Sequence, residues 1–164
     1  MSIQVDPNWT DLVHYIGLKQ EHLDLLHDHK EFFERYTNEV VMNFYIRVVK
    51  NETLYKIVNQ HSTFDRVKKT QSMYYRSLFS DKIDAVYIMY VQKIAHVHFR
   101  IGLNPEWYLA GVQTYLDEIY NLCKDMEQGI EIYQAFTKRI MFDTQVCLAE
   151  YEKLKENSDE SSLK

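Results

Sequence analysis

Residues 91–102 read Val91-Gln92-Lys93-Ile94-Ala95-His96-Val97-His98-Phe99-Arg100-Ile101-Gly102. On a helix Val91, Ile94, His98 and Ile101 recur at spacings of three and four, so His98 falls inside an apolar stripe. His96 lines up instead with Lys93 and Arg100, on the polar side. Residues two apart on a helix point about 200 degrees away from each other, so the two histidines are not a metal-binding pair. A buried imidazole needs a partner for its ring nitrogens, because an unpaired interior polar group costs on the order of 1–3 kcal/mol. Three partners are open to it: a backbone carbonyl in the core, a metal shared with other side chains, or a haem iron, which needs one protein ligand and an otherwise apolar slot. No HExxH, Cys/His cluster or paired-carboxylate motif is present to complete the second.

Outward from this segment the punctuation reads as a chain of helices. Gly102 is a plausible stop, and Asn104 followed by Pro105 starts a new helix that runs to about Met126. Gly129 closes a short connection into a last helix over about 130–155. Upstream, Ser80-Asp81 is expected to cap the helix bearing His98, and Ser62 with Asp65 resembles a capping box opening a helix to about Phe79. Earlier helices are expected near 11–14, 20–36, 37–50 and 54–58, the first two separated by Gly17. That makes eight helices. Residues 156–164 have the polar, aromatic-free composition of a disordered or linker segment, so the folded domain is expected over 1–155.

Composition agrees. Of 164 residues 46% are hydrophobic, which excludes wholesale disorder, and four Gly with two Pro leave little material for the turns of an all-β protein. The net charge of −5, with Lys and Arg scattered among acids, argues against a nucleic-acid footprint. No apolar run is long enough for a membrane span and no signal-peptide layout opens the chain, so a cytoplasmic location is expected. Cys123 and Cys147 stand far apart without a CxxC partner and read as reduced core thiols.

The run Ile94-Ala95-His96-Val97-His98-Phe99-Arg100-Ile101-Gly102-Leu103, followed by Asn104-Pro105-Glu106-Trp107-Tyr108, closely resembles the signature of the globin-coupled sensors. The resemblance also covers Phe44-Tyr45 and residues 61–70, and extends from about Pro7 to Tyr151. The sensor domains of bacterial haem-based aerotaxis transducers look most similar. It implies an all-α, globin-like fold with an extra N-terminal helix and a reduced helix D region, holding haem b on iron ligated by His98. It further implies distal groups at Tyr45, Thr70 and His61 facing dioxygen, with carbon monoxide and nitric oxide as alternative gases. Thr70 shares a helix face with Val67 and Tyr74, but a helical threonine also commonly bonds its own backbone. His61 precedes a helix start and reads equally as a loop residue. Phe44, Val67, Ile94, Ile101, Trp107 and Tyr108 are apolar or aromatic and close in sequence to these groups, so they are candidate walls of the slot.

Sensing requires that ligation bias a movable element. The last two helices carry apolar residues over more of their circumference than a single stripe, which suggests either deep burial or a second subunit. Related sensors pair through these helices in a four-helix bundle, so a homodimer is expected, with Gly111 allowing close approach. The leading reading is a non-enzymatic dioxygen sensor feeding an output module or partner, chemotaxis-transducer-like or cyclase-like in the wider family. A stand-alone globin for gas binding or nitric-oxide or peroxide chemistry is the alternative. A haem-free interaction module is a third, disfavoured by His98 and Tyr45.

Overall fold

Four of the helix starts are set by a short polar side chain, Asp6, Asn51, Thr63 or Asp84, that satisfies a free backbone N–H. The computed structural model describes residues 3–164, and among these the chain forms nine helices. Helix α1 (Pro7–Ile16) opens with Asp6 accepting from the Asn8 N–H at 2.7 Å and with Pro7 in its first turn. The helix expected over 20–36 is broken into α2 (Gln20–Asp28) and α3 (Lys30–Glu34). At His29 the backbone leaves the helical region (φ −102°, ψ 10°), and Nδ1 of its side chain lies 2.9 Å from the Leu25 carbonyl, competing with the helical ladder.

Helix α4 (Thr37–Lys50) stands as expected. Helix α5 (Glu52–His61) is longer than expected because Asn51 caps it, accepting from the Leu54 N–H. Two starts differ from the sequence reading. Ser62 ends α5 in extended backbone, and Thr63 caps α6 (Phe64–Ser77) by accepting from the Arg66 N–H. Ser80 and Asp81 lie in the joint after α6, and the cap of α7 (Ala85–Arg100) is Asp84, which accepts from the Tyr87 N–H at 2.9 Å. In both places several capping-competent residues stand in a row, and only the path of the chain selects one. Only Ser62 and Thr63 separate α5 from α6, in keeping with a reduced helix D region.

Helix α8 (Pro105–Cys123) follows Asn104, and α9 (Gly129–Ser162) is the spine of the fold. Gly129 permits the turn between them: a Cβ there would lie 1.9 Å from the Cys123 carbonyl oxygen. Helix α9 packs on α1, α2, α7 and α8, while α4 packs on α5, α6 and α8. Phe136, Ile140, Phe142, Val146, Cys147 and Tyr151 of α9 are all buried within the single chain. Its broad apolar surface therefore goes into its own domain, and breadth no longer argues for a second subunit. The polar segment 156–164, which reads as disordered or linker, continues α9 as helix to Ser162, exposed throughout. Cys123 and Cys147 are buried free thiols, as expected.

Candidate functional site

Two stripes run along α7, centred about a quarter turn apart on the helix. Ile88, Val91 and Ala95 are buried, while Tyr87, Tyr90, Ile94, His98 and Ile101 are only partly covered. Tyr87, Tyr90 and Ile94 of this second stripe pack against the edge of the core while keeping part of their surface uncovered. Helix α7 packs on α9, and neither α4 nor α6 makes an extensive contact with it.

His98 sits near the end of α7. Its Nδ1 is buried without a hydrogen-bonded partner of good geometry, and the group that favours its proton is the Ile94 carbonyl one turn earlier. Burial pushes the imidazole down to about 4, with the Ile94 carbonyl opposing more weakly. The ring is thus neutral near pH 7. A proton on Nδ1, toward Ile94, leaves the Nε2 lone pair free for a metal. Tyr108 packs beside it, ring centroids 5.7 Å apart. Gly102, immediately after α7, has φ +79° and lets the chain turn into α8. The carbonyl of Leu103 accepts from the Tyr151 hydroxyl of α9 at 2.9 Å.

The other expected residues are placed unequally. Phe44, Tyr45, Val67 and Trp107 are partly exposed, like the α7 stripe. Phe44 packs on Tyr115 of α8, and Tyr45 makes an edge contact with Phe64, centroids 4.6 Å apart. The Thr70 hydroxyl donates to its own helix, at the carbonyls of Arg66 (3.0 Å) and Val67 (3.2 Å), and the residue is exposed. His61 lies exposed at the end of α5. Phe64 escaped the sequence reading because a single aromatic beside a helix start carries no periodic signal. Gln71, which accepts from the Tyr115 hydroxyl, escaped it because one polar residue within a helix does not reveal a long-range partner.

The sequence reading also missed a pair inside α9. Arg139 and Asp143 are both 0% exposed. Two charged residues four apart in an otherwise apolar helical run were a visible signal of buried polar work.

No group of three or more His, Cys, Asp and Glu gathers among the described residues, so a metal at His98 would need its other ligands from a cofactor. The residues fit a haem: a neutral imidazole whose Nδ1 faces the Ile94 carbonyl, leaving Nε2 for iron, in a line of partly covered apolar and aromatic side chains.

The globin domain of a globin-coupled sensor from Geobacter sulfurreducens superposes on this chain with a TM-score of 0.79 at 20% identity, covering 86% of this chain and 95% of that one. At that identity the likeness speaks for the fold, which is all-α and globin-like. The protoglobin family model matches residues 6–157, nearly the whole folded domain. The chain belongs to the protoglobin family.

Proposed function

We propose that the domain is a non-enzymatic haem-based gas sensor, with haem b held between α7 and the α4–α6 pair and its iron ligated by Nε2 of His98. The observation that carries this is the buried, neutral imidazole of His98, its Nδ1 turned to the Ile94 carbonyl, on the partly covered stripe of α7. Bound haem supplies an iron that reversibly takes dioxygen, or carbon monoxide or nitric oxide. The remaining work belongs to the chain. His98 directs one lone pair into the slot, while Ile94, Ile101, Phe44, Val67, Trp107 and Tyr108 exclude water from its faces. On the distal side Tyr45 is the best-placed donor, being partly covered on α4 with only an aromatic edge against it. Thr70 would have to release a bond to its own backbone, and His61 to swing in from the end of α5.

A displacement of His98 would reach α9 across Gly102 and Leu103, whose carbonyl is held by Tyr151. Homodimerisation through α8 and α9 is supported by what stays uncovered there: Tyr120 is 54% and Ile130 86% exposed. The output lies in a further module or a partner. No helix among the described residues is long and apolar enough to cross a membrane, and a cytoplasmic location fits this reading.

The test is the absorption spectrum of the reduced, haem-reconstituted chain with and without air. A Soret band that shifts on aeration, and that is lost in His98→Ala, is expected. No band in the wild type, or one indifferent to His98→Ala, refutes the reading.

A further inference from the structure

Away from His98, one turn of α9 holds two fully buried charges. The Arg139 guanidinium donates to the carbonyls of Ser80 (2.7 Å), Ser77 and Lys82 (both 3.2 Å), all in or beside the joint between α6 and α7. It also lies 4.7 Å from the centre of the Tyr87 ring. Four residues on, a single oxygen of Asp143, Oδ2, accepts from the Tyr74 hydroxyl at 2.9 Å and from the Tyr87 hydroxyl at 2.6 Å. Tyr74 is on α6, one turn beyond Thr70, and Tyr87 is on α7, in the same partly covered stripe as His98. Both phenols are pushed upward by burial first and the Asp143 charge second, so both remain donors. The second oxygen, Oδ1, is buried and without a partner.

One carboxylate oxygen is therefore the shared acceptor for a tyrosine from each of two helices that make no extensive contact with each other. Phenol–carboxylate bonds are charge-assisted and short, which makes them stiff positioners. An apolar side chain of similar volume would fill this place without the desolvation of a charge, so what the carboxylate adds is geometry.

We propose that Asp143 is a positioning residue that straps the α6 and α7 walls of the slot to α9, so that a shift of either wall is felt by the other and by α9. The functional part of this rests on the haem reading above, but the strap itself does not. With one tie cut, the walls are already free of each other, so the two tyrosine substitutions should not act independently.

The test uses the full chain with Tyr74→Phe, Tyr87→Phe and the double substitution, each conserving ring and volume. In the haem-free chain, amide hydrogen exchange is followed helix by helix. Tyr87→Phe, on α7, is expected to speed exchange in α6, and Tyr74→Phe in α7; effects confined to the substituted helix overturn the strap. In the haem-reconstituted chain, each single variant is expected to lose haem to a scavenging apoglobin roughly threefold to tenfold faster, the worth of one hydrogen bond. The double variant should lose it no faster than the worse single, and the iron–histidine stretching frequency should move. Wild-type haem loss and frequency in both singles overturn it, as do strictly multiplicative effects. A chain that takes up no haem refutes the slot reading, and the cross-helix exchange still decides the strap.

Discussion

Where α6 and α7 meet their joint, the polar groups are tied into one network, in which Tyr74 and Tyr87 donate to Asp143 and the joint's carbonyls accept from Arg139, with Arg139 Nε and Asp143 Oδ1 left over. Further along α7, about 16 Å from Tyr87 at 1.5 Å per residue, His98 holds a buried nitrogen without a partner among partly covered apolar neighbours. The difference is instructive because both ends are built from the same helices. At the first end two fully buried charges are held by tyrosine hydroxyls and backbone carbonyls; at the other, the His98 ring has only the Ile94 carbonyl beside its Nδ1. That buried imidazole among partly covered apolar neighbours is what the proposed haem site rests on.

The largest break in this contrast is His98→Ala, expected to abolish the histidine-ligated haem spectrum. Added imidazole should restore it if only the ligand, and not the slot, has been removed. At the other end, Asp143→Leu leaves two buried phenols and Arg139 uncompensated. Chemical denaturation should show a loss of about 3–5 kcal/mol.

A gentler change at the same position separates charge from geometry. Burial pushes the Asp143 carboxyl up to about 6, with Arg139, Tyr87 and Tyr74 opposing. The folded chain then holds this proton more tightly than the unfolded chain, so the contribution of Asp143 to stability falls as pH rises from about 4 to 6 and is level above. Its neighbours Tyr74, Tyr87, Tyr90, Tyr108 and Cys147 are all shifted upward, so none titrates in that window. Relative to Asp143→Asn, the wild type should lose about 3 kcal/mol across it, measured as the pH dependence of the difference in unfolding free energy. The smallest effect is expected on the distal side. Tyr45→Phe should weaken dioxygen binding roughly threefold to tenfold, read from association and dissociation rates.

Much of this was legible in one dimension. The spacing of Val91, Ile94, His98 and Ile101 marks His98 and separates it from His96. The latter indeed pairs with Glu150 on the exposed side, at 2.7 Å. The Asn104-Pro105 start and the 37–50 helix also follow from local chemistry. Where several caps compete, as at Ser62 and Thr63 or Ser80 to Asp84, local chemistry is degenerate and the choice falls to packing. The break at His29 has the same origin, since a side chain that reaches back to Leu25 is only one option of many for a histidine.

What the sequence by itself determined is the periodic part: helices, their apolar faces, and one histidine set among apolar neighbours, because helical spacing is a local property. Which apolar residues are fully buried and which stay partly covered was decided only by tertiary structure. Both stripes of α7 carry apolar residues at helical spacing, and the packing of α9 and the sparse contact of α4 and α6 with α7 decide how far each is covered. The same holds for Asp143, whose partners come from two other helices and converge on one oxygen only when the chain is folded.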